Sequence, residues 1–178
     1  MSYQIRLFGD PVLRQVAADV TEIDAGIVRI VDDMIPTMYD AEGLGLAAPQ
    51  VGIQKRLFVY DVHDDAGPRV LVNPVISDSD GEWEYEEGCL SIPDMAFEIV
   101  RPKTVLITGV DLDGNDVSIE ADELLARLFQ HELDHLDGVL LFDHLNDEQH
   151  KAAMGEWRHR SASTGGQPAG NHGGIQFS

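Results

Sequence analysis

Hydrophobic and polar residues recur along the chain with two different periods. Residues 24–40 show the spacing of an amphipathic helix. Its apolar side would hold Ile27, Val31, Met34, Ile35 and Met38. Pro36 lies inside this run and predicts a kink or an early end, because proline cannot donate a helix hydrogen bond. A second helix is predicted over residues 121–137, where acidic side chains begin the first turn and Gly138 follows the last.

Short runs rich in β-branched and aromatic residues predict strands between the two helices. These runs are residues 56–62, 69–76, 83–85, 97–100, 104–112 and 116–119. A turn is predicted at residues 64–68 and a hairpin at Asp113-Gly114. Residues 43–52 are too rich in glycine and small side chains for a regular element. The order of elements predicts an α+β fold, with antiparallel or mixed sheets packed around the second, central helix.

Length and composition set the domain organisation. A chain of 178 residues is long enough for one domain with a sizeable core. From residue 161 onward the sequence consists of polar residues, glycine and proline, with almost nothing apolar. We therefore expect one globular domain over residues 1–160 and a polar, disordered tail over residues 161–178.

Charge and hydropathy exclude several classes of partner. The chain has 12 basic and 32 acidic side chains, for a net charge of -20, and no dense basic patch. A surface this negative repels phosphate backbones, so we expect no nucleic acid partner. No apolar run approaches the roughly 20 residues that a membrane span needs. The N-terminus also lacks the apolar core of a signal peptide, so we expect a cytoplasmic protein with no membrane partner.

The sequence HELDH at residues 131–135, within the second predicted helix, carries the strongest chemical signal. His131 and His135 are four residues apart on one helix face, so both imidazoles can bind one metal ion. Both continue an apolar stripe that also contains Leu124 and Leu128. Glu132 can reach a metal-activated water without itself binding the ion. The alternative is a set of hydrogen-bonded polar residues at the edge of the core, but burying a carboxylate between two histidines is costly without a cation.

The identity of the third ligand separates the candidate functions. The extended zinc-protease motif requires a histidine at position 141, where this chain has leucine, and His144 comes three residues too late. A zinc endopeptidase could instead use Glu148 or Glu156. A structural metal site in a binding protein would need four protein ligands.

Cys89, the single cysteine, has three interpretations. It is a small buried hydrophobe, a nucleophile paired with a histidine, or a thiolate ligand that leaves the fourth metal position free. Gln50 is either an ordinary loop residue or an amide that donates to a developing oxyanion, as the backbone N–H of Leu90 could also do. Gly45 is either a turn former or a point of close backbone approach to a substrate.

Three sequence blocks together resemble the signature motifs of peptide deformylase. They are residues 43–50 (GLGLAAPQ), 87–91 (EGCLS) and 130–135 (QHELDH), and the similarity extends from residue 5 to about residue 145. The resemblance implies a hydrolase of protein biosynthesis that removes the N-formyl group from the formyl-methionine of nascent polypeptides and releases formate. A family member that acts on other formylated amines remains an alternative.

The resemblance also implies roles for individual residues. The residues that match the metal ligands are Cys89, His131 and His135, and Glu132 matches the catalytic acid/base. Gln50 and the Leu90 N–H match the groups that polarise the formyl oxygen. The substrate-binding positions are Leu44, Gly45, Leu124 and Leu128. Arg101 is expected to brace the Cys89 loop, with Glu87 as its partner.

The implied cofactor is one divalent ion, Fe2+ in the cell, with Zn2+, Ni2+ or Co2+ able to occupy the same site. The implied partner is the formyl-methionyl N-terminus of a peptide, met during a transient encounter with translating ribosomes.

Overall fold

The computed structural model describes residues 1–164 and 176–178. Over these residues the helices are α1 (Ala25–Asp40), α2 (Glu123–Leu136) and α3 (Asp147–Thr164). The strands are β1 (Gly45–Ala47), β2 (Leu57–Tyr60), β3 (Arg69–Asp80), β4 (Trp83–Cys89), β5 (Ile92–Arg101), β6 (Thr104–Val110) and β7 (Asp116–Asp122). The predicted α+β class is confirmed.

The strands form two antiparallel sheets. The larger sheet has five strands in the order β1-β2-β3-β6-β7, and β4 and β5 pair separately as a hairpin. The hairpin predicted at Asp113-Gly114 joins β6 to β7, with Val110 opposite Asp116. Gly114 has a φ of 81°, a left-handed conformation that favours glycine at this turn.

The second strand, β2, separates two hydrophobic clusters because successive side chains of a strand point to opposite faces. Phe58 and Tyr60 belong to the cluster that includes Phe129 of α2, and the ring centroids of Tyr60 and Phe129 are 5.1 Å apart. Leu57 and Val59 belong instead to the cluster packed on α1. The large sheet therefore has α1 on one face and α2 on the other, and α2 is fixed in place by buried aromatic contacts.

The first helix does not end early at Pro36. Asp24 caps its N-terminus by accepting a hydrogen bond from the Ile27 N–H, and the helix continues to Asp40. Proline removes one backbone donor, but the Thr37 hydroxyl donates to the Asp33 carbonyl at 2.7 Å in the same turn. The buried face of α1, which includes Met34 and Met38, packs in the core on both sides of the proline. Burial therefore outweighs the missing hydrogen bond.

Glycine at position 138 ends α2, as predicted. Its φ is 73°, and a Cβ atom there would lie 2.7 Å from the carbonyl oxygen of Arg14. Both the left-handed backbone and the lack of space require glycine. The Val139 N–H then donates to the Asp134 carbonyl at 2.9 Å, which closes the last turn.

The third helix differs from the sequence expectation. We predicted a disordered tail from residue 161, yet α3 extends to Thr164, and Phe177 and Ser178 are fully buried. Two reciprocal hydrogen bonds set the start of α3. The Gln149 N–H donates to the side chain of Asn146, and the Asn146 N–H donates to the side chain of Gln149. The rest of the predicted tail, residues 165–175, lies outside the described residues. Within the described residues, no helix is both long and apolar enough to cross a membrane.

Candidate metal centre

Three buried side chains converge where the β4-β5 hairpin meets α2. Cys89 is the last residue of β4, and the strand register jumps after Gly88, so that Cys89 pairs with Ile92 at the tip of the hairpin. His131 and His135 lie one turn apart on the buried side of α2. The Cys89 Sγ is 3.5 Å from the His135 Nε2, and the two Nε2 atoms are 3.3 Å apart. All three potential ligand atoms lie within 4.8 Å of one another.

The chemistry of these donors fits a divalent cation. Burial raises the pKa of the Cys89 thiol to about 12, and burial followed by the neighbouring His131 lowers the pKa of His135. Neutral imidazole is the form that binds metals, whereas a thiolate at this depth needs a compensating positive charge. His135 Nδ1 has no hydrogen-bond partner among the described residues. A thiol and two imidazoles make three protein ligands, the number typical of a catalytic rather than a closed structural site.

The Glu132 carboxylate lies beside this group and is fully buried. Neither of its oxygens makes a hydrogen bond of good geometry within the described part of the chain, although the Ser178 side chain lies near enough to lower the pKa of Glu132. Burial raises the pKa of Glu132 well above its ordinary value. A Cβ atom on Gly45 would lie 2.5 Å from Glu132 Oε1, so β1 passes this carboxylate at a distance that only glycine allows.

Gln50 is also fully buried, and its amide orientation is fixed from both ends. The Ala47 N–H donates to Gln50 Oε1 at 3.0 Å, and Gln50 Nε2 donates to the Ser91 hydroxyl at 3.1 Å. The same Nε2 lies 3.9 Å from the Cys89 Sγ. The amide donor therefore faces the thiol, and the sequence alone gave no indication that Ser91 helps to hold it there.

Residues 176–178 lie between β1 and the end of β4, and we call the space that they occupy the groove. The backbone N–H groups of Leu44, Gly45 and Leu90 donate into it, and their acceptors are carbonyls of residues 176–178. The predicted pocket residues Leu44, Leu124 and Leu128 belong to one apolar cluster, which also contains Phe177. The sequence analysis did not anticipate that the end of the chain lies in this groove.

A buried ionic network supports the histidines from behind. Glu87 accepts hydrogen bonds from Arg101 at 2.6 and 3.0 Å, as expected, and from Arg127 at 2.8 Å. Its Oε2 also lies 3.3 Å from His131 Nδ1, which fixes the ring orientation. Burial alone would raise the pKa of Glu87, but the hydrogen bonds from His131 and Arg101 outweigh it and hold the pKa well below its usual range.

Arg127 was missed because a charged residue on a helix ordinarily faces solvent. Its position one turn before His131 was the available signal. The guanidinium is fully buried, donates to the Trp83 carbonyl and lies 5.1 Å from the centre of the Trp83 ring.

The alternative protease ligands do not join the centre. His144 contacts Asp134 at 2.8 Å. Among the described residues, the cluster of three potential metal ligands contains neither Glu148 nor Glu156. Both glutamates lie on α3, where Glu156 pairs with Arg160.

Known proteins resemble this chain over nearly its whole length. A family model described as polypeptide deformylase matches residues 2–151. A peptide deformylase of Agathobacter rectalis is 51% identical over 146 residues, covering 82% of this chain and 91% of that protein. The crystal structure of a peptide deformylase from Legionella pneumophila has a TM-score of 0.88 at 37% identity, covering 94% of this chain and 100% of the other. For the Thermus thermophilus enzyme the TM-score is 0.84 at 40% identity, with 92% and 97% covered.

Proposed function

The chain belongs to the polypeptide deformylase family, hydrolases that remove the N-formyl group from nascent chains, and from this premise we propose which residues perform the reaction. Cys89, His131 and His135 hold the metal, and Glu132 transfers the proton. The observation that carries this assignment is the convergence of one thiol and two imidazoles beside a buried carboxylate.

Proton transfer is the part of the reaction that Glu132 performs. A divalent cation held by Cys89, His131 and His135 would supply Lewis acidity, which lowers the pKa of water and polarises a carbonyl. Glu132 accepts a proton as water attacks the formyl carbon, and it returns that proton to the amine when the carbon–nitrogen bond breaks. The products are formate and a free N-terminus. Within the described part of the chain neither Glu132 oxygen makes a hydrogen bond of good geometry, so both can accept the moving proton.

Gln50 and the Leu90 N–H stabilise the negative charge that develops on the formyl oxygen. The hydrogen bond from Ala47 holds the carbonyl end of the Gln50 amide, so its NH2 group faces the reacting side. A donor fixed before the reaction stabilises the transition state without having to reorganise. Loss of one such donor typically slows catalysis by about 10²- to 10³-fold.

The groove binds the peptide. The N–H groups of Leu44 and Gly45 pair with the substrate backbone, and the apolar cluster containing Leu124 and Leu128 accepts the methionine side chain. Pairing an extended peptide with a strand edge gives affinity through the backbone, while the pocket selects the side chain.

Membership of the family implies Fe2+ as the metal in the cell, and the donor set also suits Zn2+, Ni2+ or Co2+. Thiolate and imidazole together suit these ions and disfavour Mg2+ or Ca2+, which prefer oxygen ligands. An Fe2+ form would lose activity in air, whereas a Zn2+ or Ni2+ form would not.

The site of action we propose is the cytoplasm, where formylated nascent chains arise. Contact with translating ribosomes is transient, since a chain of net charge -20 gains nothing from the phosphate backbone of RNA. The partner that the enzyme recognises is the formyl-methionyl N-terminus itself.

An anaerobic assay on formyl-Met-Ala tests these roles at equal metal loading. Glu132→Gln should keep its metal and lose roughly 10²- to 10⁴-fold in kcat, the usual contribution of acid–base catalysis. Cys89→Ser should lower the affinity for soft ions, measured by competition with a chelator. The control is Glu148→Gln, which should change neither quantity. An active Glu132→Gln enzyme, or metal loss in the Glu148 variant, would contradict the assignment.

A further inference from the structure

Residues 176–178 are hydrogen-bonded to both sides of the groove, with an isolated bridge between Gln176 and Gly88. Leu44 N–H donates to the Gln176 carbonyl at 3.1 Å, and Gly45 N–H donates to that of Phe177 at 2.6 Å. On the opposite side, Phe177 N–H donates to the Gly88 carbonyl at 3.4 Å. Residues 176–178 therefore bond to β1 and β4 at once, as a peptide does when it is added to a sheet edge.

The side chains of this segment also fit the groove. Phe177 is fully buried, and its ring stacks on His131 with centroids 5.8 Å apart. Phe177 belongs to the same apolar cluster as Leu124 and Leu128. A Cβ atom on Gly88 would lie 2.6 Å from the Gln176 side-chain amide, so Gln176 is in close contact with the β4 backbone.

The last residue reaches the reacting end of the groove. The Leu90 N–H donates to the Ser178 carbonyl, and both Ser178 and Glu132 are fully buried. Donors assigned above to the substrate backbone and to the formyl oxygen are thus engaged by the chain's own residues. The polypeptide deformylase model ends at residue 151, well before this segment.

We propose that residues 176–178 are an internal ligand of the substrate groove, with Phe177 in the pocket for the first side chain. The segment competes with the formylated peptide, and the enzyme binds substrate only when the segment has left. This inference rests on the proposed function for the identity of the groove. It requires no particular metal.

Competition predicts a specific kinetic pattern. Phe177→Ala weakens the segment, so KM for formyl-Met-Ala should fall while kcat stays unchanged. If the segment fills the groove nine-tenths of the time, the fall is about tenfold, because apparent affinity scales with the competent fraction. Phe177→Leu should retain most of the wild-type KM. The matched control is Gln167→Ala, a substitution of similar kind in the preceding part of the chain.

Amide hydrogen exchange on the full-length Zn2+ form tests occupancy without any assay of activity. The amides of Leu44, Gly45 and Leu90 should exchange slowly in the wild type and in Gln167→Ala, and at least tenfold faster in Phe177→Ala. Adding the free peptide Gly-Ile-Gln-Phe-Ser to Phe177→Ala should restore protection, and a peptide with alanine in place of phenylalanine should not.

Two results would overturn the proposal. The first is equal exchange at these three amides in wild type and Phe177→Ala. The second is protection that disappears on dilution, which would assign the segment to the groove of another copy. If the metal or Glu132 assignment failed, Glu132→Gln would stay active or the Glu148 variant would lose its metal, but the exchange pattern would be unchanged, so the two failures are distinguishable.

Discussion

Replacing Glu87 with glutamine tests the buried network that orients the metal-binding histidines. The carboxylate accepts three hydrogen bonds from two guanidinium groups, at 2.6, 2.8 and 3.0 Å. Glutamine at position 87 removes the negative charge. It also replaces one acceptor oxygen with an NH2 group, which would face an N–H donor of an arginine. Breaking a buried ion pair from one side costs about 3–5 kcal/mol, because the remaining charge stays desolvated. We expect Glu87→Gln to lower the free energy of unfolding by that amount.

The measurement is urea unfolding followed by far-UV circular dichroism, with the metal removed by a chelator. Removing the metal matters, since any ligand of the folded state adds its own stabilisation. The midpoint should shift while the slope with denaturant stays constant. Glu86→Gln is the matched control because Glu86 is the neighbouring residue of β4 and is exposed. It should change stability by less than about 0.5 kcal/mol.

A second substitution separates loss of charge balance from loss of packing. Adding Arg127→Met to Glu87→Gln removes one of the two guanidinium groups left without a charge partner. The double variant should therefore lose less free energy of unfolding than the two single variants lose together, by about 0.5–3 kcal/mol. The reasoning would be refuted if Glu87→Gln alone cost less than about 1 kcal/mol, or if the two substitutions were simply additive.

Two further predictions concern other parts of the molecule. Gly45→Ala places a methyl group 2.5 Å from Glu132 Oε1, so the carboxylate must move. This displacement of Glu132 should lower kcat on the order of 10²-fold with metal content unchanged. Unchanged kcat would contradict the close approach of β1 to Glu132. The hydrogen bond from Tyr39 to Asp61 raises the pKa of the Tyr39 phenol to about 12. Because the folded pKa lies above the unfolded value of about 10, its stabilisation is complete below pH 10 and is lost as pH rises through 12. Ultraviolet titration should show a tyrosine ionisation near pH 12 that is absent from Tyr39→Phe.

The periodic elements were predictable because each obeys a single local rule. The span of α1 followed from its apolar spacing, and the end of α2 followed from Gly138. Continuation of α1 through Pro36 was not predictable from local rules, because it depends on how much core surface packs on both sides of the proline. The start of α3 was encoded in the Asn146 and Gln149 pair, a capping signal without the apolar stripe that usually accompanies it.

The candidate site was predictable to the extent that spacing encodes it. His131 and His135 share a helix face by sequence separation alone, and the resemblance selected the ligand interpretation of Cys89 from the three that the residues left open. The partners of these residues depend on tertiary contacts between distant segments. Arg127 and Ser91 acquire their positions only when β4 packs on α2 and on the Gln50 loop. Occupation of the groove by Phe177 likewise has no local signature, since a lone aromatic in a polar stretch resembles many exposed ones.

The separation of the three candidate ligands along the chain has a consequence for folding. Cys89 lies on the small hairpin, whereas His135 is 46 residues further on in α2. An ion held by both acts as a cross-link that closes this long loop, and constraining a loop of that length removes conformational entropy from the unfolded chain. Metal affinity and folding are then one coupled equilibrium. The weakest part of the metal-free protein should therefore be the packing of the hairpin on α2 rather than the five-stranded sheet.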